Sequence, residues 1–142
     1  MWEFEHSVDA AEVTPAQVYA RYADVASWTE WDEGIEKVTL DGPFTVGTTG
    51  TMTPAGQDPL PFTITEAVPG ESFTDETVIP GAVTLRFVHR LAALPGGGTR
   101  ITHRLEIDGP ASEQMGPELG PQITADFPEA MQALAEAAGR PV

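Results

Sequence analysis

The sequence predicts an α+β domain: one curved antiparallel sheet of about seven strands packed against a long C-terminal helix, in the order β-α-α-β6-α. Three observations predict it. Alternating apolar and polar residues run from Leu85 to Ile107, broken only around Pro95-Gly-Gly-Gly98, which is the pattern of a β-hairpin. Shorter alternating runs precede it, punctuated by Asp41-Gly-Pro, Pro54-Ala-Gly, Pro69-Gly and Pro80-Gly. After Asp108-Gly-Pro110 the apolar period lengthens from two to between three and four. A sheet with one apolar face must cover that face, and the C-terminal helix is the only element large enough. No linker, repeat or low-complexity tract divides the chain, so residues 1–142 read as a single domain.

Composition narrows the partners. Hydrophobic residues make up 41% of the chain, enough for a packed core. The 22 acidic and 7 basic side chains leave a formal charge of −15, a field that repels nucleic acid and anionic membranes. Neither is expected as a partner. The absence of cysteine excludes disulfides, thiolate ligands and cysteine nucleophiles. No basic segment followed by an apolar run opens the chain, and no window approaches a membrane span, so a cytoplasmic protein is expected.

Each element has its own signature. Trp2, Phe4, His6 and Val8 alternate with Glu3, Glu5, Ser7 and Asp9, giving a first strand with one buried face. Thr14, Pro15 and Gln17 supply an N-cap, a first-turn proline and the far half of a capping box. A helix from about Pro15 to Ala23 then buries Val18, Tyr19 and Tyr22. A second helical turn spans Val25 to Trp31, with Trp28 and Trp31 on one side, and Gly34 ends it. Strands follow at Ile35–Leu40, Gly47–Thr53, Phe62–Val68 and Phe73–Ile79. In the hairpin the simplest register sums opposed positions to 192. That sets His89 opposite His103, within a stripe formed by Leu85, Phe87 and Leu91 against Ile107, Leu105 and Ile101. From Gln114 to Ala138, Met115, Leu119, Ile123, Phe127, Met131, Leu134 and Ala138 mark one helical face. Pro117, Pro121 and Pro128 predict a kink, or a short segment before a main helix.

Val8-Asp-Ala10, Val18-Tyr19, Asp24, Trp28-x-x-Trp31-Asp32, Phe44-x-Val-Gly-Thr-Thr-Gly50 and Ser72-Phe-Thr-Asp75, followed by the terminal helix, resemble the START-like (SRPBCC) superfamily. The likeness covers nearly the whole chain and points to the bacterial polyketide cyclase/dehydrase-like branch. It implies a helix-grip fold, with the first and last strands as neighbours and a ligand held between sheet and C-terminal helix. Members bind lipids, polyketides, hormones or alkaloid precursors and share no catalytic set.

Neighbouring first and last strands would oppose Glu3, Glu5 and Asp9 to Arg86, Arg90, Arg100 and Arg104, four of the seven basic residues, as cross-strand ion pairs on the outer face. His6, His89 and His103, the only histidines, then point inward from three adjacent strands. Imidazoles in that position can line a ligand pocket, serve as general acid/base groups, fill a purely structural role, or form a three-histidine metal site. All three are candidate catalytic residues. Trp28, Trp31, Phe62, Phe87, Met115, Phe127 and Met131 are candidate ligand-binding residues between sheet and helix. Glu66 and Asp75 share strand parity with apolar neighbours, and an edge or bulge is expected to turn either to solvent. Glu30, Asp32, Glu33 and Glu36 read as a solvated surface. Gly47-Thr-Thr-Gly50 lacks the lysine and helix of a phosphate loop, and no Gly-x-Ser-x-Gly elbow occurs. No cofactor is implied.

The function these residues predict is binding of a small hydrophobic molecule in a sheet–helix cavity, by a monomer or homodimer. The alternative is a polyketide cyclase/dehydratase-like enzyme using the inward histidines, and a further alternative is the metal site.

Overall fold

The computed structural model describes residues 1–140. Seven antiparallel strands form one sheet: β1 (Trp2–Ala10), β2 (Ile35–Leu40), β3 (Thr49–Pro54), β4 (Leu60–Val68), β5 (Ser72–Ile79), β6 (Val83–Ala93) and β7 (Thr99–Asp108). Their order across the sheet is β1-β7-β6-β5-β4-β3-β2, so the first strand closes against the last. Helix α1 (Pro15–Ala23) carries the expected reciprocal box. The Gln17 backbone N–H donates to the Thr14 hydroxyl, and the Thr14 N–H donates to the Gln17 side chain. A 3₁₀ turn at Val25–Ser27 leads into the single turn α2 (Trp28–Trp31).

The β6–β7 hairpin has the register the sequence implies, with His89 opposite His103 and Leu91 opposite Ile101. Gly96, Gly97 and Gly98 all take positive φ in its turn, which a residue with a Cβ rarely adopts. β1 adds His6 opposite His103 and Asp9 opposite Arg100. On the outer face Arg100 holds Asp9 through two hydrogen bonds of 2.8 and 3.1 Å, and Arg104 binds Glu3 and Glu106. Arg86 departs from the expected pairing with β1. It bridges Glu76 on β5 and Glu106 on β7, because β7 lies between β6 and β1.

The C-terminal helical stripe is divided into two helices of similar length, α3 (Ser112–Thr124) and α4 (Phe127–Ala138). The division is later than a short leading segment would place it. Pro117 and Pro121 stay inside α3 with their rings exposed, whereas the break falls just before Pro128, which has no N–H for the Thr124 carbonyl. Thr124 turns its hydroxyl back to Gly120 O (2.9 Å), and Asp126 begins the next helix by accepting from Ala130 N. Helix α3 packs on β1 and β7, while α4 packs on β1, α1 and α2. Two glycines explain the close approach of α3. A Cβ at Gly116 or Gly120 would run into the Trp2 side chain, so the indole lies directly on the helix backbone. No helix among the described residues is long and apolar enough to cross a membrane.

Candidate functional site

Three imidazoles lie in one row across the inner face, on β1, β7 and β6, and continue into Phe73 on β5. The His89 and His103 rings meet edge to face with centroids 4.6 Å apart, and Phe73 stacks on His89 at 4.6 Å. His89 donates through Nδ1 to its cross-strand neighbour's carbonyl, Phe73 O, at 2.9 Å. That bond fixes the tautomer and leaves Nε2 with a free lone pair. Burial pushes His89 down to about 4, against the favourable effect of the Phe73 carbonyl. Burial, and then the charges His89 and His6 would carry, hold His103 well below the ordinary range. Both rings are therefore neutral at pH 7.

Tyr22 completes the group from above. Val18, Tyr19 and Tyr22 form the inward stripe of α1, which sets the phenol over the histidine row. Its hydroxyl lies 2.7 Å from His103 Nε2, and the phenol, as the stronger acid, donates. Burial raises the Tyr22 pKa above its ordinary value, so the proton stays on oxygen. Sequence reading places Tyr22 only in the core. The missed signal is that a buried tyrosine hydroxyl needs a partner, and the inward imidazoles are ready acceptors.

The histidines do not converge as a metal centre. Among the described residues no three such side chains meet where an ion would sit. The physical reason is that His103 Nε2 is engaged by Tyr22, His89 Nδ1 by a carbonyl, and the two rings meet at 78°. That corrects the metal alternative.

The apolar candidates divide into two groups. Trp28, Trp31, Phe62 and Met131 are packed in a closed core with Tyr22, Ile64, Phe73 and Leu134. Phe87, Met115 and Phe127 are only half-buried, against the buried pairs Val83, Leu85 and Leu105, Ile107. Trp2, Leu119 and Ile123, not singled out by sequence as site residues, join this second group, and Phe4 stacks on Trp2 and meets Phe127 edge-on at 5.9 Å. The space between sheet and helices is thus filled at one end and lined by half-open side chains at the other. Two open depressions, of about 500 and 330 Å³, lie instead on the outer face around Arg90 and Arg100.

The carboxylates also need revision. A bulge between Ile64 and Glu66 sets Glu66 opposite Thr74, on the outer face as expected, although its Oε1 is buried without a partner. β5 has no such bulge. Asp75 therefore stays inward, between Ile64 and Phe87, and is only 7% exposed. Burial, followed by the charge of Glu76, raises its carboxyl to about 8. Within the acidic cluster Asp32 is half-buried rather than solvated. Burial and the adjacent Asp126 carboxylate lift it to about 6, against the hydrogen bond it accepts from Gly34 N. Trp31 Nε1 is a buried donor with no partner among the described residues.

This fold is shared widely. The Helicobacter pylori protein jhp0584 superposes with a TM-score of 0.77 at 10% identity, over 96% of this chain and 87% of that one. Ara h 8.0201 gives 0.70 at 14% identity over 96% of both chains. Norcoclaurine synthase from Thalictrum flavum gives 0.70 at 11% identity over 94% of this chain and 91% of that one. At these identities the likeness establishes the fold, an α+β helix-grip. No match was found among curated protein sequences. The family model described as polyketide cyclase/dehydrase and lipid transport matches residues 1–139, and the chain belongs to that family.

Proposed function

We propose that this member of the polyketide cyclase/dehydrase and lipid transport family binds a small hydrophobic molecule against the half-open end of its inner face. One observation carries the reading: Trp2, Phe4, Phe87, Met115, Leu119, Ile123 and Phe127 are large apolar side chains left half-buried side by side. Large apolar side chains packed on a buried cluster without being fully covered are a common lining of a ligand site. Trp28, Trp31, Phe62 and Met131 then form the rigid wall behind the site, and the neutral imidazoles give its polar edge. The test is titration with a neutral fluorescent apolar probe, N-phenyl-1-naphthylamine. Saturable binding that Leu119→Trp weakens, with the fold intact, supports the site. Absence of saturable binding, or binding indifferent to Leu119→Trp, refutes it.

A second reading is favoured by the His89–His103 pair. His89 Nε2 makes no hydrogen bond among the described residues, and the ring is oriented and neutral, as a general base must be. In an aldol cyclisation it would take a proton from a carbon beside a carbonyl, and the electron pair would pass into the enolate. That carbon would attack a second carbonyl of the same substrate, and the new alkoxide would recover the proton from Nε2. A base held near 4 is weak, which ranks catalysis below binding. Turnover of a polycarbonyl thioester that survives both His89→Gln and His103→Gln would end this reading.

A further inference from the structure

Asp75 is a buried acid with nothing to hold it. The β5 register fixes it inward, between Ile64 on β4 and Phe87 on β6. Ile64 belongs to the closed core and Phe87 to the half-open end, so the carboxyl lies at their seam. Its side chain makes no hydrogen bond among the described residues, and burial together with Glu76 is all that acts on its proton. The nearest polar neighbours by register are Thr77, two positions along β5, and His89, two positions from Phe87 along β6. An apolar residue of similar volume would stabilise this position, since an unpaired buried polar group costs free energy.

The geometry points to Asp75 as a hydrogen-bond donor that anchors an oxygen atom of the ligand, so that the molecule bound is a carbonyl- or hydroxyl-bearing hydrophobe rather than a pure hydrocarbon. This rests on the inner-face binding site proposed above. With its pKa near 8 the carboxyl keeps its proton at pH 7, presenting one O–H donor and one carbonyl acceptor. The unpaired Nε2 of His89, on the same face, is a second acceptor for a ligand hydroxyl.

The test uses two ligands with one carbon frame, 1-tetralone and tetralin, titrated by calorimetry into the full chain and into Asp75→Leu. The wild type is expected to bind the ketone about tenfold more tightly than the hydrocarbon, the value of one good hydrogen bond in a dry site. In Asp75→Leu that preference vanishes, tetralin binding is kept or tightened, and the melting temperature rises. Asp75→Val gives the same readout should the leucine overpack. Equal affinities in the wild type, or an unchanged preference in the variants, would overturn the role of Asp75 while leaving the site in place. Loss of binding by both ligands in the wild type would overturn the site itself, and the anchor with it.

Discussion

The two ends of the inner face share one sheet and similar apolar strands, yet one is closed and the other half-open. Over the closed end, α1, α2 and α4 lock aromatic rings together: Tyr22 lies 5.7 Å from Phe73, and Trp28 lies 5.7 Å from Phe73 and 6.1 Å from Phe62. Met131 and Leu134 of α4 are fully buried there. Over the other end, α3 offers Met115, Leu119 and Ile123, none of them fully covered. The strands do not make the difference; the covering helix does. Helix α3 turns two glycines, Gly116 and Gly120, toward the sheet, so it has fewer side chains with which to fill the space. Closure is set from one layer, and the sheet alone does not reveal which end will be filled.

The strongest way to break this contrast is truncation. Phe73→Ala should cost roughly 3–5 kcal/mol, as for a large side chain removed from a packed core. Leu119→Ala should cost about 1–2 kcal/mol, because less of that side chain leaves water on folding. Urea unfolding measures both. Equal costs would mean that the two ends are packed alike.

Acid should find the buried histidine row next. His89 is held near 4 when folded against an ordinary 6.5. Between those values the unfolded chain takes up a proton that the folded chain refuses, so stability falls as pH drops from about 6.5 toward 4. The loss should be on the order of 1–3 kcal/mol, each unit of displacement being worth about 1.4. His89→Gln should flatten that limb. Asp75 acts with the opposite sign. Its folded value near 8 lies above the ordinary 3.8, so the folded chain keeps a proton the unfolded chain has lost. Stability is then lost as pH rises through that window, and Asp75→Asn should remove the loss. Melting temperatures from pH 4 to 9 test both limbs. An unchanged slope between pH 6 and 8 in Asp75→Asn would mean that the seam is wet.

Gly120 sharpens the other side of the contrast. Gly120→Ala puts a methyl group into the Trp2 indole, which should cost about 1–3 kcal/mol through displacement of α3. The double variant with Trp2→Leu should recover most of it. A Gly120→Ala protein as stable as wild type would show that α3 is already free to shift.

Much of this arrangement is legible before folding, because alternation and register are local arithmetic. Opposed positions summing to 192 place His89 against His103, and the family resemblance puts β1 beside β7, where the opposed charges then agree with it. What escapes is set by single-residue events. One bulge in β4 turns Glu66 outward, while its absence from β5 keeps Asp75 inside, although each shares the parity of its own strand's inward residues in sequence. Three prolines each permit a helix break, and only packing decides that Pro128 marks it. Which aromatic residues remain half-exposed depends on how α3 sits, and that depends on Gly116 and Gly120 meeting a tryptophan more than a hundred positions away.

Tyr22→Phe is the finest probe of the closed end. It removes one oxygen, leaves the ring in its cage and takes away the donor to His103 Nε2 (2.7 Å). A net hydrogen bond contributes about 1 kcal/mol, and the unpaired buried nitrogen adds to the loss. The identity of the loss can be read from its pH dependence. Without the phenol donating to it, Nε2 is a freer lone pair, so folded His103 should take up a proton more readily, its gap from the unfolded value should narrow, and the stability lost through Tyr22→Phe should be smaller at pH 5 than at pH 8. Adding His103→Gln to both the wild type and the Tyr22→Phe variant should abolish that difference between them. If Tyr22→Phe lowers stability by the same amount at pH 5 and pH 8, then the hydroxyl contributes to packing alone and does not hold the imidazole neutral.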